Sequence, residues 1–200
     1  SRLIASGIRP INNVVDISTY VMLELGQPLH YYDADRLGDT LIVRDAKDEE
    51  LLTTLDGQER ILAKEDIVIA DKDKAVGLAG VMGGLSTEVE NNTKNILIEA
   101  AIFDSIRVRK TSKKILRSEA SNRFEKGLDP RRTYMAIERS CELLEKYADA
   151  TVVGGLIEHK NLEIEDKVID VTIDKINKVL GIELDINTVE NIYKDLGFEV

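Results

Sequence analysis

The residues of this chain that could do chemistry lie in a few places. His30 follows Gly26-Gln27-Pro28-Leu29 and precedes Tyr31-Tyr32-Asp33, and it is one of 2 histidines. It is expected in a loop just after a helix, where functional residues concentrate; a hydrogen-bonded structural role is the alternative. Glu99 lies within Ile96-Leu97-Ile98-Glu99-Ala100-Ala101-Ile102, apolar on both sides. Strand alternation puts it on the face shared with Leu97 and Ala101. A carboxylate there is either at an exposed edge or in a pocket where it meets a ligand. The densest glycine cluster, Gly77-Leu78-Ala79-Gly80-Val81-Met82-Gly83-Gly84, either lines such a pocket or allows tight packing between layers. It has neither the lysine of a phosphate loop nor a dinucleotide Gly-x-Gly-x-x-Gly, so it does not argue for ATP or NAD. Arg117-Ser118-Glu119-Ala120-Ser121-Asn122-Arg123 sets small residues, which admit a ligand, among arginines, which suit phosphates. Gly-x-Ser-x-Gly, His-Glu-x-x-His and paired-aspartate metal motifs are absent from the sequence.

These side chains need elements to position them. Ile11, Val14, Val15, Ile17, Val21, Met22 and Leu25 recur at helical spacing and predict a helix over 12–25, capped by Asn12 or Asn13 and stopped at Gly26. Strands are predicted over 40–44, 51–55, 60–62, 66–70, 75–80 and 96–102, with Asp56-Gly57 as a hairpin turn. A basic helix follows over 104–115, and Asp129-Pro130 opens a longer one to about 147. Residues 151–157 read as another strand. Strands followed by helices, without strict alternation, give an α+β class with a mixed sheet and flanking helices. The charged stretch 158–167 reads as a linker, and His159 within it is assigned no role. Beyond it, 168–173 reads as a strand, 174–180 and 187–196 as helices, and 198–200 as the start of a strand. The expected organisation is a domain over 1–157, the linker, and a small helical module over 168–200 that is cut short.

With 200 residues, 43% hydrophobic and 32% charged, the chain has the make-up of a globular protein with a core that needs no staples. No apolar run approaches the ~18 residues of a membrane span, no signal-peptide pattern opens the sequence, and a cytosolic location is expected. The single cysteine, Cys141, has no internal disulfide partner, and a Cys/His zinc site is not expected. The net charge of −10 is unevenly spread. Between Arg107 and Arg132, ten Lys/Arg face three acids. That field either holds a phosphate backbone or is a solvated helix face.

Taken together, several blocks resemble the beta subunit of bacterial phenylalanyl-tRNA synthetases. They are Gly7-Ile8-Arg9-Pro10-Ile11-Asn12-Asn13-Val14-Val15-Asp16, Tyr20-Val21-Met22-Leu23-Glu24-Leu25-Gly26-Gln27-Pro28-Leu29-His30, Gly80-Val81-Met82-Gly83-Gly84 with Glu88-Val89, Arg109-Lys110-Thr111-Ser112, and the run from Arg117 to Pro130. The resemblance covers essentially the whole chain. It implies an editing module over 1–157, followed by the start of a winged-helix-like module. It also implies tRNA(Phe) and a catalytic alpha subunit as partners, in an alpha2-beta2 tetramer. ATP and magnesium would serve the parent enzyme, with no cofactor or metal in this stretch, because the family's magnesium-binding carboxylates lie beyond it.

The implied reaction is hydrolysis of tyrosine wrongly attached to the tRNA, by a positioned water. By motif, the implied pocket comprises His30 and Glu99 as the residues acting in the reaction, with Ser18, Thr19, Gly80, Ser118 and Ala120 holding substrate. Arg117 and Arg123 are expected on the tRNA. The family usually has Thr-Asn at Ser18-Thr19 and often threonine at Ser118, so one pocket amide is missing. The alternative is a tRNA- or subunit-binding module that has lost editing. An unrelated small-molecule hydrolase conflicts with the long motif run.

Overall fold

The Asn12 side chain accepts a hydrogen bond from the Val15 amide and starts a helix where the apolar periodicity begins. Gly26, at φ 76°, ends it in the left-handed region. The computed structural model describes residues 2–159 and 166–200. It divides into two compact units, Ser1–Leu162 and Glu163–Val200.

In the first unit the order is α1 (Arg2–Ala5), α2 (Asn13–Leu25), β1 (Leu29–Asp33), α3 (Ala34–Leu37), β2 (Ile42–Asp45), β3 (Glu50–Thr53), β4 (Glu59–Leu62), β5 (Ile67–Ala70), β6 (Ala75–Leu78), β7 (Met82–Gly83), a 3-10 turn (Leu85–Thr87), β8 (Ile96–Ala100), α4 (Ser105–Lys114), α5 (Glu119–Phe124) and α6 (Arg131–Ala148). The strands form a β1-β8 pair, a four-stranded sheet ordered β2-β5-β6-β7, and the β3-β4 hairpin. Every pairing is antiparallel. The α+β class is as expected, but the sheets are antiparallel where the sequence predicts a mixed one.

Three apolar clusters hold this unit together. One joins the hairpin and the four-stranded sheet to Val108 of α4 and Phe124 of α5. A second seats α2 and α6 on one face of the β1-β8 pair. The third gathers Tyr32, Leu37, Ile69, Val76 and Ala79 between that pair and the four-stranded sheet. Arg139 of α6 donates to Glu24 of α2 at 2.7 Å, and Asn13 donates to the Tyr147 carbonyl at 3.0 Å, fixing the two helices against each other.

Several predicted elements differ from what is found. Residue 30 lies inside β1 and not in a loop, because the chain resumes pairing immediately after Gly26-Gln27-Pro28. Residues 151–157 form no strand: Val153 and Ile157 are 87% and 97% exposed, and among the described residues no neighbouring strand takes their backbone groups. The predicted linker falls largely on 160–165, outside the described residues.

In the second unit, α7 (Ile173–Leu180) is capped by Thr172 and closed by Gly181, and α8 (Ile186–Asp195) is capped by Asp185. Asn177 bridges the turn between them, donating to the Leu184 carbonyl and accepting from its amide, both at 3.0 Å. Residues 168–172 and 198–200 are irregular where the sequence predicts strands. Val168 and Ile169 are exposed, and apolar content without a partner strand does not make a strand.

Candidate functional site

The β1-β8 pairing sets Leu29 opposite Ala100, His30 opposite Glu99, Tyr31 opposite Ile98 and Tyr32 opposite Leu97. Because side chains alternate along a strand, the pair has two distinct faces. One carries Tyr31, Ile96 and Ile98 into the cluster under α2 and α6. There the Tyr31 hydroxyl meets Ser140 Oγ at 2.5 Å. The other face carries His30, Tyr32 and Glu99 into a cavity whose wall also includes Gly80, Met82, Gly83, Phe103 and Ala120. The cavity has a volume of about 70 Å³ and is partly open to solvent.

The three polar side chains sit in very different electrostatic states. Tyr32 is 1% exposed, and its hydroxyl donates to Glu99 Oε2. Burial, reinforced by the Glu99 charge, drives the phenol's pKa far up, so it is a standing donor. Burial raises the Glu99 carboxyl to about 7, against the opposing pull of the Tyr32 hydrogen bond. His30 meets the Tyr32 ring edge-on, with centroids 4.4 Å apart. Burial lowers its pKa to about 4, so the imidazole is neutral at pH 7. Among the described residues, no group is hydrogen-bonded to the His30 ring.

Glycines make this arrangement possible by close approach. A Cβ on Gly83 would stand 2.2 Å from His30 Cε1, so the imidazole lies directly on the Gly83 backbone. Gly80 takes φ 69°, and a Cβ there would press on Phe124, Val108 and Phe103 at 3.1–3.2 Å. The cluster both lines the cavity and packs layers tightly, so the two readings of it coincide.

Among the residues singled out from sequence, His30, Gly80, Glu99 and Ala120 line one cavity. Ser118 stands beside it as the cap of α5 and donates to the Val81 carbonyl at 2.6 Å. Ser18 and Thr19 lie on α2, where both hydroxyls donate to the Val15 carbonyl, at 2.8 and 3.2 Å, and neither lines the cavity. Arg117 pairs with Glu125 at 3.4 Å and Arg123 with Glu119 at 2.6 Å. Tyr32 is the site residue that sequence reasoning misses. Once residue 30 is placed in a strand, the two-residue period puts Tyr32 on the same face, and expecting a loop there conceals this. Among the described residues, no cluster of three or more His, Cys, Asp or Glu is placed to hold a metal ion. No helix among them is long and apolar enough to cross a membrane.

A family model described as the B3/4 domain matches residues 1–149. The chain is 48% identical over 202 residues to the phenylalanine–tRNA ligase beta subunit of Bacillus subtilis (strain 168), covering 100% of the chain and 25% of that relative. It is 47% identical over 200 residues to a beta subunit from Bacillus cereus, covering 99% and 25% respectively. The chain thus spans about a quarter of the length of these curated relatives. Among solved structures, an N-terminal fragment of the phenylalanyl-tRNA synthetase beta-subunit from Pyrococcus horikoshii superposes with a TM-score of 0.49 and 13% identity, covering 87% of this chain and 52% of that one.

The cavity's two titrating groups pull stability in opposite directions as the pH falls. Folded His30 resists protonation down to about pH 4 while the unfolded residue takes its proton near 6.5, so stability is lost across that window. Folded Glu99 takes its proton near 7 and the unfolded residue near 4.5, so stability is gained across that window. Each difference is worth on the order of 3 kcal/mol, and the two nearly cancel. Glu99→Gln removes the compensating half. Its urea midpoint is expected to fall between pH 6.5 and 4 more steeply than that of the wild type, and parallel profiles would show that the Glu99 carboxyl is not raised in the folded protein.

Proposed function

Because the chain belongs to the B3/4 domain family, we propose that it is the editing module of a phenylalanine–tRNA ligase beta subunit, removing tyrosine wrongly attached to tRNA(Phe). The reading is supported above all by one juxtaposition: a half-buried carboxylate, Glu99, faces His30 across a strand pair inside a cavity otherwise lined almost wholly by apolar and glycine residues. The identity to phenylalanine–tRNA ligase beta subunits over the whole chain points the same way.

In this reaction a water oxygen attacks the carbonyl carbon of the ester that joins tyrosine to the terminal adenosine. The ester carbon–oxygen bond breaks, the ribose oxygen takes a proton, and tyrosine leaves as its carboxylate with the second proton passing to solvent. Among the described residues, no serine, threonine or cysteine lines the cavity, which favours water over a protein nucleophile. His30, neutral and a weak base at its depressed pKa, suits the task of orienting the water or the substrate amine. Its role is to position, with no obligatory proton abstraction.

Selection of tyrosine falls to Glu99. A synthetic site built for an apolar ring rejects an added hydroxyl poorly, so the correcting site must favour the hydroxyl. A carboxylate accepts a phenolic O–H in a charge-assisted bond. Opposite a phenylalanine ring it would have no donor to replace the water it gave up.

Arg117 and Arg123 are assigned to the tRNA, although each already holds an acidic neighbour that a phosphate would have to displace. Arg109, Lys110 and Lys113, on the exposed side of α4, carry no ion pair among the described residues and extend the basic surface. The catalytic alpha subunit, the alpha2-beta2 assembly, the ATP and magnesium of the synthetic reaction, and the cytoplasm as its place belong to the same proposal.

Two measurements test it in the complete enzyme that carries this chain. Glu99→Ala is expected to reduce the preference for hydrolysing tyrosyl- over phenylalanyl-tRNA by roughly ten- to a hundredfold, the equivalent of ~1–3 kcal/mol. Unchanged preference in a folded variant would place the reading of the hydroxyl elsewhere, and absence of hydrolysis in the wild type would favour a binding module without editing. Reversing Arg109 and Lys113 to glutamate is expected to weaken tRNA binding and flatten its salt dependence by about 0.7–0.9 in log–log slope for each phosphate no longer neutralised. An unchanged slope would make that face simply solvated.

A further inference from the structure

Glu99 does not enter the cavity as a bare carboxylate. Its Oε2 already accepts a hydrogen bond from Tyr32. Its Oε1 makes no hydrogen bond among the described residues and is not among their buried unpartnered side-chain atoms, so it keeps some exposure on a side chain that lines the cavity. The strand register makes this division of labour unavoidable. His30 sits directly opposite Glu99, and Tyr32 is two residues further along the same face, diagonal to it. Tyr32 is itself held from the far side, packed with Leu37, Ile69, Val76 and Ala79, and edge-on to His30. A phenol fixed in this way has one place to send its proton.

We propose that Tyr32 is a positioning residue for specificity: its hydroxyl pins Glu99 by Oε2 and so presents Oε1, ionised and aimed into the cavity, to the phenolic hydroxyl of the substrate. The inference rests on the editing reading above and adds to it the group that makes the carboxylate selective. The protein thereby answers one phenol with another. The internal one saturates half of the carboxylate permanently, and the other half is left for a ligand of the same chemistry.

Two consequences separate this role from simple packing. The first is the state of Glu99 itself. The titratable residues lining the cavity are His30, Tyr32 and Glu99. His30 is neutral near pH 7 and Tyr32 is a fixed donor, so Tyr32 is the neighbour that favours the ionised carboxylate against the cost of burial. Removing its hydroxyl leaves burial unopposed. The second is orientation: without the bond to Oε2, the carboxylate is free to turn both oxygens away from the ligand.

The test is Tyr32→Phe, which keeps the ring and deletes only the hydroxyl. In this chain carrying 13C-labelled glutamate carboxyls, with Glu99→Gln used to assign the resonance, the Glu99 titration is expected to move up by roughly one pH unit in Tyr32→Phe. In the complete enzyme, the pH at which tyrosyl- over phenylalanyl-tRNA preference is half developed should move up with it. Preference at pH 7 then falls several-fold and recovers by about pH 9. Difluorotyrosine at position 32 keeps the ring and strengthens the donor, and it should move both midpoints down; it serves equally well if Tyr32→Phe does not fold. A Glu99 titration that stays in place in either variant overturns the role of Tyr32 and leaves the editing reading intact. A titration that moves while the wild type shows no tyrosine preference at any pH overturns the editing reading, and the specificity role with it.

Discussion

The site depends on the register of one short antiparallel pair. With His30 opposite Glu99, the three polar groups fall on the cavity side, and Tyr31, Ile96 and Ile98 fall under the helices. A slip of β8 by one residue would turn Glu99 toward α2 and α6, and a slip of β1 would turn Tyr31 into the cavity. Both ends of the pair are tied against such a slip. Before β1, the buried Gln27 donates to the Ala101 carbonyl at 3.0 Å, just past the end of β8. At the other end, Ala34 donates to the Asn95 carbonyl at 2.9 Å, and Asp33 accepts from Thr93 at 2.7 Å while capping α3. On the helix face, the contact of Tyr31 with Ser140 adds a polar key that fits only in this register.

Burial then decides what each polar group can do. The same desolvation acts on a phenol, an imidazole and a carboxyl, and it favours the neutral form of all three. It makes Tyr32 a permanent donor and His30 a neutral ring, and it leaves Glu99 as the group that changes charge near neutral pH. The glycines complete the cavity sterically, since the imidazole occupies the space a side chain at Gly83 would need.

Much of this is legible in the residues themselves. The α2 helix with its Asn12 cap, the hairpin around Asp56-Gly57 and the helices begun by Asp104 and Pro130 follow local rules of capping and turn chemistry, and they stand where those rules put them. Glu99 is visible as a carboxylate in an apolar strand. What stays hidden depends on partners distant in sequence. The strand at His30 exists because residues 96–100 pair with it, whereas Gly-Gln-Pro just before it reads locally as the start of a loop. The apolar stretches 151–157 and 168–173 look like strands, but strands need neighbours, and composition does not say whether one is present. Tyr32 escapes notice for the same reason, since its importance comes from a carboxylate 67 residues away.

The central claim is that Glu99 reads a phenolic hydroxyl within this cavity, and the most direct test is a crystal structure of the protein with a non-hydrolysable amide analogue of tyrosyl-adenosine. The expected result is the analogue's phenol oxygen within about 2.5–3.0 Å of Glu99 Oε1, with Tyr32 still bonded to Oε2 and the aminoacyl end beside His30. An analogue that binds outside the cavity, or inside it with its ring turned away from Glu99, would contradict the claim.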